Sequence, residues 1–254
     1  MRDFTLAAYM RVIRALQDKG LPIFGIQRWL TANPSNGALI RHDVDRRPLN
    51  ALRMAEAEAR AGIQTTYYFR VVGSAFDTKI MREVSQLGHE VGYHYEDLAL
   101  VRGNMQAALA SFKKHLAMLR EIVPIQTAAM HGSPLSRHNN LEIWGSAAIE
   151  EYQLIGEAFL SVNYQNVYYF TDTGRSWGAT STNLRDRPVG ILTPEFAIHD
   201  SRELCAFIMG NPIEKLAISA HPERWDSSLA GWAGQALKDG AVNAVKRVIA
   251  NARR

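Results

Sequence analysis

Cys205 is the only cysteine among the 254 residues, so an internal disulfide is excluded and stability must come from packing. It sits beside Leu204 and Phe207 in the helix-like stretch Ser201–Met209, which suits a buried structural thiol better than a nucleophile. No apolar run is long enough to span a bilayer. The N-terminal stretch MRDFTLAAYMRVIRALQDKG also lacks the unbroken apolar core of a secretion signal, because Arg11, Arg14 and Lys19 interrupt it. A cytoplasmic protein without a transmembrane segment is expected. There is no basic block either: 29 Lys and Arg against 25 Asp and Glu give a net charge of +4 spread along the chain, which argues against a nucleic-acid partner. A Ser/Gly linker, a low-complexity tract and a fixed-period repeat are all absent. These absences predict one domain over residues 1–254, with an N-terminal helical segment (1–36) ahead of a barrel (37–254).

What is present is a regular alternation. Hydrophobic residues make up 47% of the chain, enough for a sizeable core. Short apolar or β-branched runs fall at Ala38–Asp45, Thr65–Val71, Glu90–Glu96, Ile125–His131, Tyr152–Glu157, Val167–Thr171 and Leu216–His221. Helical patterns lie between them: Pro48–Ala61 with Gly62 as its stop, Asp77–Leu87 with Asp77 as its cap, Asn104–Ile122 ahead of Pro124, and a closing Gly231–Ala250. Such alternation predicts an α/β fold, a single-domain (β/α) barrel, complete or incomplete, of about seven parallel strands.

In parallel α/β barrels the chemistry sits where strands end and βα loops begin. Asp43 and Asp45 are two apart at the end of an apolar strand, so the period-two pleat puts both side chains on one face. Two carboxylates aimed into one site repel unless a cation neutralises them. A purely structural alternative has Asp45 capping the helix from Pro48 and Asp43 pairing with Arg41 or Arg46. The same alternation groups Glu90, Gly92, His94 and Glu96 on one face, with His94 as the metal-ligand candidate, and His131 and His221 end strands in equivalent positions.

At these residues the chain resembles the polysaccharide deacetylases, the NodB-homology group of carbohydrate esterase family four, over roughly residues 37–225. Asp43-Val44-Asp45 is similar to a D-x-D form of that family's first motif, and Gly88-His-Glu-Val-Gly92 followed by His94 is similar to the second. The resemblance implies Asp43 as catalytic base, Asp45 and His94 as ligands of a divalent metal, most readily zinc, and His221 in Ile218-Ser219-Ala220-His221 as the acid. It also implies a second histidine ligand four residues after His94, where this chain has Leu98. His131, which ends the neighbouring candidate strand, is the first substitute, and Glu96 on the face of His94 is the second. The motifs HDVD, GHEVGYHYED, MHGSPLS, TDTGRSW and AHPERW further resemble a subgroup associated with O-antigen and other surface polysaccharides.

The activity implied is hydrolysis of an N-acetyl amide on a sugar, a nucleotide sugar or a lipid-linked glycan, with a backbone N–H in the His131–Ser133 loop helping to hold the oxyanion. Asp172 and Arg175 are candidates for orienting Asp43, for substrate contact or for a structural ion pair. Trp177 and Trp225 are candidates for stacking on a pyranose or for packing. Two other readings stay open. An HD-type phosphohydrolase using His42-Asp43 takes its ligands from helices, whereas here the dipeptide ends a strand-like run. A sugar-binding or assembly protein that kept the barrel and lost the metal is supported by Leu98.

Overall fold

The computed structural model describes residues 2–133, 136–178 and 188–252. Helix α1 (Leu6–Asp18) begins where the Thr5 hydroxyl accepts the Ala8 N–H, and it buries Ala8, Tyr9, Val12, Ile13 and Leu16 at three- and four-residue spacing. The helical segment expected as far as residue 36 is not continuous. After Gly20, in the left-handed region at φ 75°, Ile23–Phe24 form the short strand β1, and helix α2 (Ile26–Ala32) follows.

Strand β2 (Gly37–Val44) is buried along its whole length. Helix α3 (Pro48–Arg60) starts on Pro48, whose fixed φ suits a first turn. It leads to strand β3 (Thr66–Phe69) and to helix α4 (Thr78–Gln86), which Asp77 caps through the N–H groups of Lys79 and Ile80. Strand β4 (Glu90–Tyr95), the short helix α5 (Asp97–Leu100), helix α6 (Met105–Arg120) and strand β5 (Thr127–Met130) come next. The chain ends with strands β6 (Gly156–Glu157) and β7 (Tyr168–Thr171), helix α7 (Ser201–Gly210), strand β8 (Lys215–Ala220) and helix α8 (Leu229–Ala252). The strand expected over 152–157 shrinks to two residues, because Ile149–Tyr152 is a 3-10 turn. Beyond it, the Glu157 carboxylate accepts the N–H groups of Phe159 and Leu160 and turns the chain away.

All strand pairs are parallel, in the order β6-β5-β4-β3-β2-β8-β7, with β1 alongside β2 at Ala38 and Leu39. Among the described residues β6 and β7 do not pair with each other, so the sheet is a curled, open barrel. Two buried clusters follow the period-two pleat. Ala38, Ile40 and Val44 of β2, with Tyr67, Phe69, Tyr93 and Ile218, pack outward against the helices. Leu39, Tyr68, Ala129, Tyr169 and Ala217 face inward, and Phe24, Ile26 and Trp29 join them from β1 and α2.

Gly92 belongs to this inner face: a Cβ there would lie 2.2 Å from Cε1 of Tyr68, so only glycine lets that ring cross β4 toward His94. The Tyr68 and His94 ring centroids are 6.5 Å apart.

Candidate functional site

One rule of position organises the site. The residue immediately after β2 is Asp45, after β3 Arg70, after β4 Glu96, after β5 His131, after β7 Asp172 and after β8 His221. Parallel strands in register bring these six residues to one rim of the sheet, where backbone pairing ends and side chains can converge.

Asp45, His94 and His131 meet there. Asp45 Oδ1 lies 3.4 Å from His94 Nε2 and 3.4 Å from His131 Nε2, and the two imidazole rings stand edge to face at 5.2 Å. His94 Nδ1 is 3.0 Å from the Ala129 carbonyl oxygen, and His131 Nδ1 is 3.0 Å from Glu96 Oε2. Both partners are acceptors, so each Nδ1 carries a proton and each Nε2 is the nitrogen able to give its proton up. Burial disfavours ionising Asp45, but the charges of His131 and His94 outweigh it and hold the carboxyl well below the usual carboxylate range. Burial likewise lowers His131, yet Asp45 and Glu96 raise it to about 9. Among the described residues no three His, Cys, Asp or Glu side chains form a ready-made metal cage. The arrangement is a looser triad of one carboxylate and two imidazoles, and Asp45 Oδ1 is buried with no hydrogen-bond partner among the described residues.

Around the triad, Glu96 is held from the other side. Its Oε1 accepts Arg70 Nε at 2.7 Å and a second, closer contact from Nη2, while Arg70 Nη1 reaches the Asp45 carbonyl oxygen at 3.4 Å. Burial raises the Glu96 carboxyl, but His131 and Arg70 bring it down to about 2. Leu98 does not take part: it is 1% exposed, on α5, inside the outer hydrophobic cluster.

Asp43 is buried on the inner face of β2. Its Oδ2 lies 3.3 Å from Arg41 Nη2 and accepts Ser219 Oγ–H at 3.3 Å, whereas Oδ1 has no hydrogen-bond partner among the described residues. The expected Arg41 pair therefore exists, but Asp45 does not cap α3, whose cap residue is Arg47.

His221 is fixed by Asp172. Asp172 Oδ1 is 2.6 Å from His221 Nδ1, and Oδ2 accepts the His221 backbone N–H at 2.8 Å. Arg224 Nη1 at 3.1 Å and Trp225 Nε1 at 2.7 Å complete four donors to this one carboxylate. Burial and Arg224 depress the imidazole, but Asp172 and the more distant Asp45 raise it to about 9. Nε2 is left as the ring's other polar atom.

The five expected substrate contacts have protein partners. Asp172 is 0% exposed and spends both oxygens on the donors just named. Trp225 is covered by Phe4, Tyr9 and Trp177, with ring centroids 5.0, 5.4 and 5.6 Å away. Trp177 is 0% exposed and donates its indole N–H to Ser201 Oγ at 3.1 Å. Arg175 lies over Phe4 and Trp232 and reaches Asp239 of α8 at 3.8 Å. Glu96 faces Arg70 and His131. Trp225, Trp177 and Arg175 share a physical cause: Phe4 packs against all three, and Trp232 and Asp239 of α8 also cover Arg175. Of the His131–Ser133 loop expected to offer a backbone N–H to an oxyanion, the His131 N–H donates to the Tyr95 carbonyl at 2.8 Å. Pro134 of the same loop lies outside the described residues.

Two residues at the rim carry no signal as plain as the others. Arg70 ends a strand that holds neither a carboxylate nor an imidazole, so a search for those groups at strand ends passes it over. Glu223 is 0% exposed with neither carboxylate oxygen hydrogen-bonded among the described residues, and Arg46 Nη2 lies 3.5 Å from it. Burial and the nearby Asp45 raise its carboxyl to about 7. The available signal was its place in His221-Pro222-Glu223-Arg224, two residues beyond a strand-end histidine.

No family model and no curated protein matches the chain. Among solved structures, a Streptococcus mutans CE4 esterase is similar at 11% identity and a TM-score of 0.46, over 91% of this chain and 89% of that one. The Xyl-CE4 domain of a multidomain xylanase from the hindgut metagenome of Trinervitermes trinervoides is similar at 14% identity and a TM-score of 0.34, over 81% of each chain. At such identities neither likeness extends to chemistry, which depends on the residues of the site and not on the architecture that carries them.

Proposed function

We propose that the chain is a metal-dependent hydrolase that removes the acetyl group from an N-acetylated sugar, with Asp45, His94 and His131 holding a zinc-class divalent ion. The observation that carries this reading is the approach of two imidazole Nε2 atoms, at 3.4 Å each, to Asp45 Oδ1, which accepts no hydrogen bond among the described residues. Two nitrogens and one carboxylate oxygen, with Nδ1–H committed elsewhere on both rings, form the donor set of a catalytic zinc site with an open position. A cation would take the place of the protons that now reconcile these three groups.

Such an ion, when bound, polarises an amide carbonyl and makes water a nucleophile near neutral pH. The chain's own groups supply the rest. Asp43 keeps one oxygen against Arg41 and Ser219 and has Oδ1 to accept the proton of the attacking water. His221, its Nδ1–H held by Asp172, offers Nε2 to protonate the departing amine. This is a base on β2 and an acid after β8, adjacent strands at the same rim. Atoms balance to acetate and an amino sugar. The surface-polysaccharide setting rests on the motif resemblance alone.

The test is acetate release from a panel of N-acetylated sugars, nucleotide sugars and lipid-linked glycans, before chelation, after chelation and after zinc is returned. Loss and recovery of activity support the proposal. Sugar binding with no turnover and no bound metal would favour the degenerate binding protein to which Leu98 points.

A further inference from the structure

We propose that Glu96 and Arg70 are positioning residues that hold His131 as the metal ligand standing in for the one Leu98 does not supply. The inference rests on the metal site proposed above. It starts from a vacant role: with Leu98 packed in the outer core, α5 presents no donor at that position, so a third protein ligand has to come from another strand end. His131, after β5, is the imidazole that reaches Asp45 from there.

A histidine at the end of a strand and the start of a loop is not by itself well aimed. Its ring can turn, and either nitrogen can carry the proton. Here the aim is set by contacts from neighbouring strands in sequence. Asp45, Arg70, Glu96 and His131 follow β2, β3, β4 and β5, four adjacent strands of the sheet. Arg70 joins the first to the third, donating Nη1 to the Asp45 carbonyl and its Nε and Nη2 edge to Glu96 Oε1. The fork orients the Glu96 carboxylate and leaves Oε2 for the Nδ1–H of His131. Ser133 Oγ, 3.0 Å from the same Nδ1 and 3.3 Å from Glu96 Oε2, closes the contact on the loop side. The side chains of Arg70, Glu96 and His131 are 19%, 9% and 15% exposed, so water competes little for these bonds. A carboxylate acting on a ligand's second nitrogen selects the tautomer and makes the ligating nitrogen more basic. His94 obtains the first of these benefits from a backbone carbonyl. His131 obtains both from Glu96.

The experiment compares zinc affinity, by competition with a chromogenic chelator, for the full-length chain and its Glu96→Ala, Glu96→Gln, Arg70→Ala and His131→Ala variants. Circular dichroism monitors folding, and 15N-histidine spectra at a pH where the ring is neutral report the His131 tautomer. Outer-shell partners of this kind are worth roughly 10–100-fold in metal affinity. Glu96→Ala is expected to weaken zinc by that factor and to let His131 populate the Nε2–H form. Arg70→Ala should act in the same direction but less. Glu96→Gln, which keeps an acceptor, should recover part of the affinity and most of the tautomer, and it serves as the readout if the alanine variant fails to fold. Unchanged affinity and tautomer in Glu96→Ala and Glu96→Gln would overturn the inference while leaving the metal site standing. Loss as complete as in His131→Ala with the tautomer unchanged would also overturn it, making Glu96 a ligand. Failure of the unaltered chain to bind zinc would instead remove the metal site itself.

Discussion

His131 Nε2 comes within 3.4 Å of Asp45 Oδ1 although two whole strands, β3 and β4, lie between the strands that carry them. The curl of the open sheet makes this possible, since a flat sheet holds neighbouring strands about 4.8 Å apart and would keep these ends well separated.

If that contact marks a coordination site, His131 and His221 should fail differently. His131→Ala should lose zinc affinity by more than about a hundredfold, beyond what outer-shell partners contribute, and activity with it. His221→Ala should keep its metal and lose roughly 10²–10⁴-fold in kcat, as expected for a general acid. Metal content and steady-state rates on the two variants check this. Undiminished occupancy in both would remove His131 from the ligand set.

Asp43→Asn should abolish most deacetylation, again by roughly 10²–10⁴-fold, while zinc affinity stays near that of the unaltered chain. Loss of metal in this variant would exchange the roles of Asp43 and Asp45.

Placing a histidine at position 98 should not strengthen the site. Leu98 is 1% exposed in the outer core, so Leu98→His buries an imidazole where hydrocarbon now packs, at a cost of about 2–4 kcal/mol. Chemical denaturation should show that loss with zinc affinity no higher than before. A gain in affinity would mean that α5 can still turn toward the rim.

Short apolar or β-branched runs located β2, β4 and β8 to within a residue or two, because strands covered on both faces are rich in such residues. The two-residue β1 and the seven-residue α2 are too short for any periodicity to register. At the site, polar strand ends flagged Asp45, His94, His131 and His221. For Asp172, Arg175, Trp177 and Trp225 the same rule left ion pairing or packing open beside substrate contact, because whether a rim residue faces the site depends on what folds over it. Here that cover is Phe4 from one end of the chain and Asp239 on α8 from the other, a contact no local pattern encodes.

A buried network away from the rim should contribute, beside Asp45 and Glu96, to the acid limit of stability. Glu58, 0% exposed, accepts from Thr65 and Tyr67 hydroxyls at 2.7 Å and from Tyr9, and lies 2.9 Å from His42 Nε2. Burial alone would raise its carboxyl, but His42 first and His89 and Tyr9 after it bring it down to about 2. A folded-state value below the unfolded one gives stability that is whole above about pH 4.5 and is lost as pH falls toward about 2. The amount is about 3 kcal/mol. Denaturation midpoints from pH 6 down to 2 should follow that course, and Glu58→Ala should be less stable at neutral pH and flatter below it. A variant as pH-sensitive as the unaltered chain would assign the acid limit elsewhere.

The measurement that bears most directly on the central claim is zinc titration of the purified chain beside Asp45→Asn, with bound metal counted per chain. One ion per chain is expected, released by chelator and restored with activity, with severely weakened binding in Asp45→Asn. No binding above background in the unaltered chain, or equal binding in the two proteins, would contradict that claim.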